Sequence, residues 1–358
     1  MFVRGGKIRV RRNDMIKIVV DEKIPFLKGL LEPYAAVVYK EGRIISPDDV
    51  KDADAMIIRT RTRCDRTLLQ GSKVRFIGTA TIGFDHIDME YCSRNRIRVV
   101  TAAGCNAGGV AQYVMAALAF LNADPVKHTL GIIGVGNVGS AVKEAASGMG
   151  FNVLCNDPPK ADTGGEGYVS LDRLLSASDI ITVHVPLNRT GIYKTENLID
   201  GDVFAKMKNG VVFINSSRGE TVDENALCKA IISRKISDAV IDVWCHEPDI
   251  NRELLSLACI ATPHIAGYSL QGKANGSSMV IRALADFFGL DPLKDWYPKE
   301  VTPVKHKSIL EWNCFKALIS RVYNNIVKDS DTLKNAPEQF ENLRNDYDYR
   351  NEILSEDL

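Results

Sequence analysis

The stretch TLGIIGVGNVGSAVKEAASGMGFNVLCND, residues 129–157, decides the fold of this chain. It begins with a short apolar run, turns at Gly134, Gly136 and Gly139, and continues as a helical pattern. A second apolar run then ends at Asp157. Strand, glycine-rich turn, helix and strand in this order are typical of a dinucleotide-binding βαβ unit.

The residues of the turn have separate tasks in such a unit. Gly134 allows the tight turn, Gly136 lets the backbone approach a pyrophosphate, and Gly139 lets helix and strand pack closely. The pyrophosphate then lies on the helix N-terminus beside Asn137 and Val138, where free N–H groups and the helix dipole favour an anion. We therefore predict that these five residues bind the cofactor.

Asp157 selects between the two nicotinamide cofactors. An acid at the end of the second strand can bind both ribose hydroxyls of NAD, and it repels the 2′-phosphate of NADP. The alternative interpretation is a tight turn followed by a helix-capping aspartate. The complete order of strand, turn, helix, strand and acid favours NAD.

The rest of the chain extends this pattern. Short apolar runs alternate with helical patterns, which predicts an α/β fold with two doubly wound, parallel-sheet, Rossmann-like domains. One unit covers about 15–105, the second begins near His128, and a helical stretch at 106–121 joins them. From Leu290 onward the sequence becomes polar and helical, which predicts a small C-terminal α/β or helical domain.

The bulk composition limits the partners. Lys plus Arg and Asp plus Glu both number 45, so no global field attracts nucleic acid or a membrane surface. The longest apolar stretch is far shorter than the roughly 20 residues that span a bilayer. The eight cysteines form no CxxC pair and no signal peptide is visible, so we expect reduced thiols in a cytoplasmic protein. Cys245–His246–Glu247 has no second ligand cluster beside it, so no metal site is predicted.

Residues 1–14 precede the first strand-like run, which begins at Met15. We interpret them as a disordered N-terminal extension that arises from an upstream start site. A basic arm that binds nucleic acid is the alternative. Five basic residues alone give weak, salt-sensitive binding, which disfavours that alternative.

Three segments beyond the glycine-rich turn carry side chains that suit hydride chemistry. INSSRGE holds Arg218, DVWCHEP holds Asp242 and Glu247, and TPHIAGY holds His264. All lie at or just beyond the C-terminal ends of predicted parallel strands, which is the edge where open α/β sheets bind ligands.

These residue types fit the oxidation of a 2-hydroxy acid. His264 can accept a hydroxyl proton near neutral pH. Glu247, if hydrogen-bonded to it, would fix the tautomer and stabilise the imidazolium. Arg218 has the planar fork that matches a carboxylate. Each residue alone has an ordinary structural explanation, but their order after a dinucleotide motif favours the catalytic one.

The order GVGNVG, HVPL, INSSRG, DVWCHEP and TPHIAG resembles the D-2-hydroxyacid dehydrogenases over about residues 15–290. The resemblance implies that Arg218, Glu247 and His264 are the catalytic set. It also implies cofactor contacts at the residues Asp157, Val185, Asp242 and Gly267.

The resemblance further implies a domain plan. The substrate-binding domain would consist of 15–108 and the returning segment 268–290, and the NAD-binding Rossmann domain of 109–267. Residues 291–358 would form a C-terminal dimerisation domain and make the protein a homodimer. A stripe of apolar residues at helical spacing in this tail must be covered by something: Ile309, Trp312, Phe315, Leu318, Ile319, Val322 and Ile326.

Finer features indicate the substrate. GTATIGFDHID (78–88) and HIAGYSLQGKA (264–274) are similar to one branch of the family, and a C-terminal tail is typical of that branch. Its members oxidise 4-phospho-D-erythronate to 2-oxo-3-hydroxy-4-phosphobutanoate in vitamin B6 biosynthesis. The resemblance implies substrate contacts at Thr60, Thr81 and Tyr268.

The run RTRTR at 59–63 fits such a ligand. A phosphorylated sugar acid carries a carboxylate and a phosphate of about −1.5 to −2 charge, and Arg59 at a strand end could hold part of it. The other two arginines either extend this basic rim or face solvent. We expect the chain to turn after Thr60, which breaks the extended period that would align all three.

Two alternatives remain open from the sequence. The nearer one is oxidation of 3-phosphoglycerate or another D-2-hydroxy acid, because these substrates differ little from a phosphorylated four-carbon acid. The other is a non-catalytic scaffold that senses NAD, since a sensor could retain the same three residues. Measured turnover separates these classes.

Overall fold

The computed structural model describes residues 15–304, 311–323 and 326–353, so the predicted extension at 1–14 and Ile309 lie outside the described residues. It divides the chain into two compact units. The first contains the described residues up to Cys105 together with Lys273–Thr302, and the second contains Asn106–Gly272 together with the described residues from Pro303 onward.

The first unit is built on a five-stranded parallel sheet with the strand order β2-β1-β3-β4-β5. Its strands are β1 (Ile16–Asp21), β2 (Ala35–Lys40), β3 (Ala55–Ile58), β4 (Phe76–Thr79) and β5 (Arg98–Thr101). Its helices are α1 (Pro47–Val50), α2 (Arg66–Leu69) and α3 (Met89–Arg94), with 3-10 turns at Gly42–Ile44 and Asp291–Leu293.

The second unit is built on a six-stranded parallel sheet with the order β11-β10-β9-β8-β6-β7. Its strands are β6 (Thr129–Ile133), β7 (Asn152–Asn156), β8 (Ile180–Val183), β9 (Val211–Asn215), β10 (Ile236–Ile241) and β11 (Ile260–Ala261). Its helices are α4 (Ala107–Phe120), α5 (Asn137–Gly148), α6 (Pro158–Asp162), α7 (Leu171–Ala177), α8 (Gly201–Lys206), α9 (Glu224–Ile232) and α10 (Arg252–Leu257), with a 3-10 turn at Gly219–Thr221.

Helix α11 (Leu270–Phe288) begins in the second unit and continues in the first. In the first unit its apolar side packs on the sheet through Val280, Ile281 and Leu284, all fully buried. Gly78 in β4 makes this approach possible, because a Cβ there would lie 2.3 Å from Cγ1 of Val280. The absence of one side chain on the strand therefore sets the distance between helix and sheet.

The C-terminal segment of the second unit is helical. It contains α12 (Trp312–Val322), α13 (Ile326–Asn335) and α14 (Phe340–Asn345), with a 3-10 turn at Pro337–Gln339. The apolar stripe predicted there is covered within the unit, since Trp312, Phe315, Ile319 and Ile326 join the same buried core as α4. The indole N–H of Trp312 donates to the carbonyl of Ala123 at 3.0 Å.

The predicted fold class is confirmed: the chain has two parallel α/β sheets and a helical C-terminal part. The domain at 291–358 stays a prediction, and the compact units group the described residues from Pro303 onward with the second sheet. Two contacts explain this grouping: the segment shares a buried core with α4, and Ser330 Oγ accepts from the Ala261 N–H of the edge strand β11 at 2.9 Å.

Candidate active site

The glycine-rich turn has the shape that a dinucleotide needs. Gly134 adopts a φ of +86°, a conformation that side chains disfavour. A Cβ on Gly139 would lie 2.0 Å from the carbonyl oxygen of Gly134, so that helix α5 can pack on the turn only without it. A Cβ on Gly136 would meet no atom within 4 Å, so the backbone there faces open space. The turn therefore leaves room for a pyrophosphate at the start of α5.

Asp157 follows β7 and lies beside this turn. Its Oδ2 accepts from the backbone N–H of Val135 at 2.8 Å, and its Oδ1 accepts from the N–H of Lys160 at 3.2 Å. The carboxylate is half-buried, and both oxygens retain lone pairs for further donors. Its position fits the predicted contact with the ribose hydroxyls, and the helix-capping alternative is also realised because Asp157 caps α6.

Val185 lies on the other side of the turn. A Cβ on Gly134 would be 2.7 Å from Cγ1 of Val185 and 2.8 Å from the carbonyl carbon of His184. The segment after β8 therefore passes directly against the turn, which supports the predicted cofactor contact of Val185.

His264 and Glu247 form a close pair in the second unit. Nδ1 of His264 lies 3.0 Å from Oε1 and 2.9 Å from Oε2 of Glu247. Glu247 also accepts from the backbone N–H of Trp244 at 3.1 Å, which fixes the carboxylate in place. Because Nδ1 faces Glu247, Nε2 is the nitrogen left for exchanging a proton with a ligand.

The electrostatics of Glu247 favour its ionised form. Burial raises the pKa of this carboxyl, but the charge and hydrogen bond of His264, the charge of Arg344 and the Trp244 N–H outweigh it, so the pKa is lowered overall. A carboxylate that stays ionised can stabilise the imidazolium that forms when His264 takes a proton.

Asp242 organises the loop that carries His264. Its Oδ1 accepts from the Thr262 hydroxyl at 2.6 Å and from the Ile265 N–H at 2.8 Å, and its Oδ2 accepts from the Ala266 N–H at 2.9 Å. The residue is 1% exposed, and this burial raises the pKa of its carboxyl although the hydrogen bonds act in the opposite direction. We predicted a cofactor contact for Asp242, and that contact stays a prediction beside this structural role.

Arg218 follows β9 and is half-buried. Its Nη1 donates to the Ser217 carbonyl at 2.7 Å, and its own carbonyl accepts from Asn215 Nδ2 at 3.0 Å and from the Thr221 hydroxyl at 2.7 Å. These contacts fix the backbone at Arg218, and with it the position from which the side chain extends.

Gly219 brings the Arg218 loop against the Glu247 loop. A Cβ on Gly219 would lie 2.0 Å from the carbonyl carbon of Trp244 and 2.3 Å from the nitrogen of Cys245. The Trp244 indole N–H in turn donates to the Thr262 carbonyl at 3.0 Å, just before His264. The three loops with the predicted catalytic residues are therefore connected through one buried tryptophan.

Tyr268 lies four residues beyond His264, close to the C-terminal segment. Its hydroxyl accepts from Nε of Arg344 at 3.2 Å, and its ring packs against the rings of Tyr347 and Tyr349. Gly267 is needed here for a close approach, since a Cβ would lie 2.0 Å from Nδ2 of Asn106. Sequence reasoning missed Arg344 as part of this site, because no short-range pattern links it to Tyr268 or Glu247.

The other predicted substrate contacts lie in the first unit. The chain turns after β3, as expected, with the Thr62 N–H donating to the Arg59 carbonyl at 3.2 Å, and it leaves Thr60 exposed. Arg59 Nε donates to Oδ2 of the fully buried Asp21 at 3.0 Å. Thr81 is half-buried, and its hydroxyl lies 2.6 Å from that of Thr79.

Within 15–304, 311–323 and 326–353, no group of three or more His, Cys, Asp or Glu side chains could hold a metal ion. Among the same residues, no helix combines the length and the apolar character that crossing a bilayer requires.

The close contact at Gly219 gives a test of the connected loops. Gly219→Ala should lower NAD-dependent turnover by about 10²-fold, because small displacements of catalytic groups are that costly, while NAD binding is largely retained. Gly201→Ala is the matched control, since its Cβ would meet nothing closer than the Ala226 Cβ at 4.0 Å. Steady-state rates with NAD affinities measure both variants. Equal turnover of the two variants would contradict the coupling.

Comparisons with known proteins agree with this geometry. Residues 109–266 match the family model described as D-isomer specific 2-hydroxyacid dehydrogenase, NAD binding domain. An erythronate-4-phosphate dehydrogenase of Bacteroides thetaiotaomicron is 47% identical over 343 residues, covering 94% of this chain and 97% of that protein. One from Bacteroides fragilis is 46% identical with the same coverage.

A solved structure shows the same fold. The NAD⁺-bound 3-phosphoglycerate dehydrogenase of Entamoeba histolytica superposes with a TM-score of 0.65 at 28% identity, covering 78% of this chain and 98% of that one. Together with the family match, this shows that the cofactor is NAD. The chain belongs to the D-isomer-specific 2-hydroxyacid dehydrogenases, within the branch of the erythronate-4-phosphate dehydrogenases.

Proposed function

We propose that this chain oxidises 4-phospho-D-erythronate to 2-oxo-3-hydroxy-4-phosphobutanoate, with NAD as the electron acceptor, in vitamin B6 biosynthesis and in the cytoplasm. The observation that carries the substrate is the 47% identity over 94% of the chain to a protein of that named activity. At 94% of the chain, that similarity extends well beyond the match to the NAD-binding family model at 109–266.

The chemistry assigns one task to each of three side chains. The turn at Gly134, Gly136 and Gly139, with Asp157, would hold NAD, which would supply the acceptor for the hydride of the carbinol carbon. His264 takes the hydroxyl proton at Nε2, and Glu247 stabilises the resulting imidazolium from the Nδ1 side. Arg218 holds the substrate carboxylate and the oxygen of the forming carbonyl with its planar fork.

The substrate contacts in the first unit complete the proposal. We assign the charge of the phosphorylated acid to the region of Arg59, Thr60 and Thr81, and a further contact to Tyr268. The ion pair with Asp21 supports a fixed position for Arg59, because a guanidinium that is held in advance loses less entropy when it binds an anion. Arg63 has a different role, since it pairs with Asp65 and its side chain is 84% exposed.

A substrate panel tests the activity. With NAD, we expect kcat/KM for 4-phospho-D-erythronate to exceed that for 3-phosphoglycerate by at least about 10-fold, because one CHOH group is worth that much in a fitted pocket. NADH formation is followed by absorbance for these two acids, D-glycerate and D-lactate. Preference for 3-phosphoglycerate would move the chain to the rival activity, and no turnover of any acid would favour the NAD-sensing scaffold.

The panel includes a control for background activity. His264→Gln should lower kcat by about 10²-fold or more while NAD affinity changes little, because it removes the base and leaves the cofactor turn intact.

A second test concerns the choice of cofactor. Asp157→Ala should raise KM for NAD and reduce the ratio of kcat/KM for NAD to kcat/KM for NADP. The variant loses the carboxylate that accepts from the ribose hydroxyls and that repels a 2′-phosphate. The Lys160 amine donates to the Val135 carbonyl nearby and would then face less opposing charge. Asp172→Ala changes an exposed aspartate of the same unit and serves as the control. An unchanged ratio of kcat/KM for NAD and NADP would contradict the role of Asp157.

We propose a homodimer on the resemblance alone. The apolar stripe at Trp312, Phe315, Ile319 and Ile326 is buried within its own unit, so it no longer argues for a partner. We expect a particle of about twice 39.5 kDa in light scattering of the full chain. A mass of one chain across the accessible concentration range would refute the dimer.

A further inference from the structure

We propose that Arg344 is a positioning residue for the reaction: it ties Glu247 to Tyr268 and sets how strongly Glu247 acts on His264. This inference rests on the proposed function of the Glu247–His264 pair. It concerns a residue of the C-terminal segment, which lies far from all other site residues along the chain.

The contacts of Arg344 are specific. Its Nη1 donates to Oε2 of Glu247 at 3.3 Å, and its Nε donates to the Tyr268 hydroxyl at 3.2 Å. Two edges of one planar guanidinium therefore reach the partner of the base and a predicted substrate contact. A lysine could not make both contacts with fixed geometry, because its ammonium is a single point on a flexible stem.

The contacts are also shielded from water. The side chains of Arg344 and Glu247 are 16% and 18% exposed, and that of His264 is 26% exposed. Charges act on one another more strongly at such positions than on an open surface, since there is less solvent to screen them. An ion pair on the open surface would lack this shielding from solvent.

Glu247 consequently has two neighbours that share one carboxylate: Arg344, which is always cationic, and His264, which is cationic when it carries a second proton. His264 contacts both of its oxygens, and Arg344 shares Oε2. A permanently charged arginine on Oε2 draws on the same negative charge that stabilises an imidazolium. Arg344 therefore limits how much of the Glu247 charge acts on the His264 ring, because both side chains contact the same carboxylate oxygen.

The other charged groups around the pair do not replace this effect. The negative charge of Asp242 acts on His264. The negative charge of Glu341, which lies in α14 with Arg344, acts on the Arg344 guanidinium. Tyr268 presents a phenol, and Trp244 contributes a backbone N–H to Glu247. Among the described contacts of Glu247, Arg344 is thus the side chain with a permanent positive charge.

Alpha-helix α14 is held so that Arg344 can reach inward. Phe340, at its first position, is fully buried in the core beneath the second sheet. Tyr347, just beyond the helix, packs on the Tyr268 ring at 6.2 Å and hydrogen-bonds Asp329 at 3.3 Å. These anchors on both sides of Arg344 fix its Cα before the guanidinium makes any contact.

The test compares Arg344→Gln with Arg344→Lys on the full chain with NAD. In Arg344→Gln we expect the acid limb of kcat/KM for 4-phospho-D-erythronate to move up by about one pH unit, because Glu247 then stabilises the imidazolium unopposed. In Arg344→Lys the acid limb should move by no more than about a quarter of a pH unit, because the positive charge is kept. KM should rise, because a lysine cannot contact Glu247 and the Tyr268 hydroxyl together. A limb that stays in place in Arg344→Gln overturns the proposal, even if its rates fall.

A second measurement does not depend on the substrate. The imidazole of His264 is titrated by NMR in the NAD-bound protein, with its signal assigned through His264→Gln among the six histidines. The midpoint should rise in Arg344→Gln and stay near the native value in Arg344→Lys. Equal midpoints in all three proteins overturn the inference, whereas a shifted midpoint together with no turnover of 4-phospho-D-erythronate refutes the proposed substrate and leaves the role of Arg344 standing.

Discussion

The carboxylate of Asp242 accepts three hydrogen bonds from one short loop, and that loop carries His264. Burying a carboxylate is costly unless donors surround it, and here the donors are the Thr262 hydroxyl and the N–H groups of Ile265 and Ala266. These hydrogen bonds fix the shape of the loop, in which His264 adopts a φ of +57°. Such a conformation costs about 1–2 kcal/mol for a residue with a side chain, so it persists because the surroundings impose it.

The C-terminal segment supports the same loop from the other side. Arg350 is 8% exposed, and its guanidinium donates to the carbonyls of Ile265, Ala266 and Tyr268 and to that of Gly109. Asp242 thus binds the N–H groups of the loop and Arg350 its carbonyl groups. Opposite charges on opposite sides of one peptide segment hold it more firmly than either could alone. The tail is therefore part of the active-site scaffold, in addition to any role in assembly.

The sequence predicted those features that depend on local patterns. The glycine-rich turn with Asp157 gave the NAD-binding unit, and the alternation of apolar runs gave both parallel sheets. Arg218, Glu247 and His264 could be predicted as candidates because each lies beyond the end of a strand, and their catalytic roles stay predictions. Arg344 could not be found in this way, because 97 residues separate it from Glu247 and no short-range pattern records such a pairing. The same limit applies to the apolar stripe, which the sequence shows as amphipathic without showing that α4 covers it.

The arginines of the run RTRTR at 59–63 have different surroundings in the folded chain. Arg59 is tied to the buried Asp21 before any ligand arrives, whereas Arg63 pairs with Asp65 on the surface. The turn at Thr60 separates them, since the Thr62 hydroxyl donates to the Gly42 carbonyl at 3.0 Å and pulls the chain out of the strand. Arg59 and Arg63 therefore have different partners although they share one alternating run. The ion pair with a buried carboxylate restricts the Arg59 side chain, whereas solvent largely screens the exposed pair of Arg63 and Asp65.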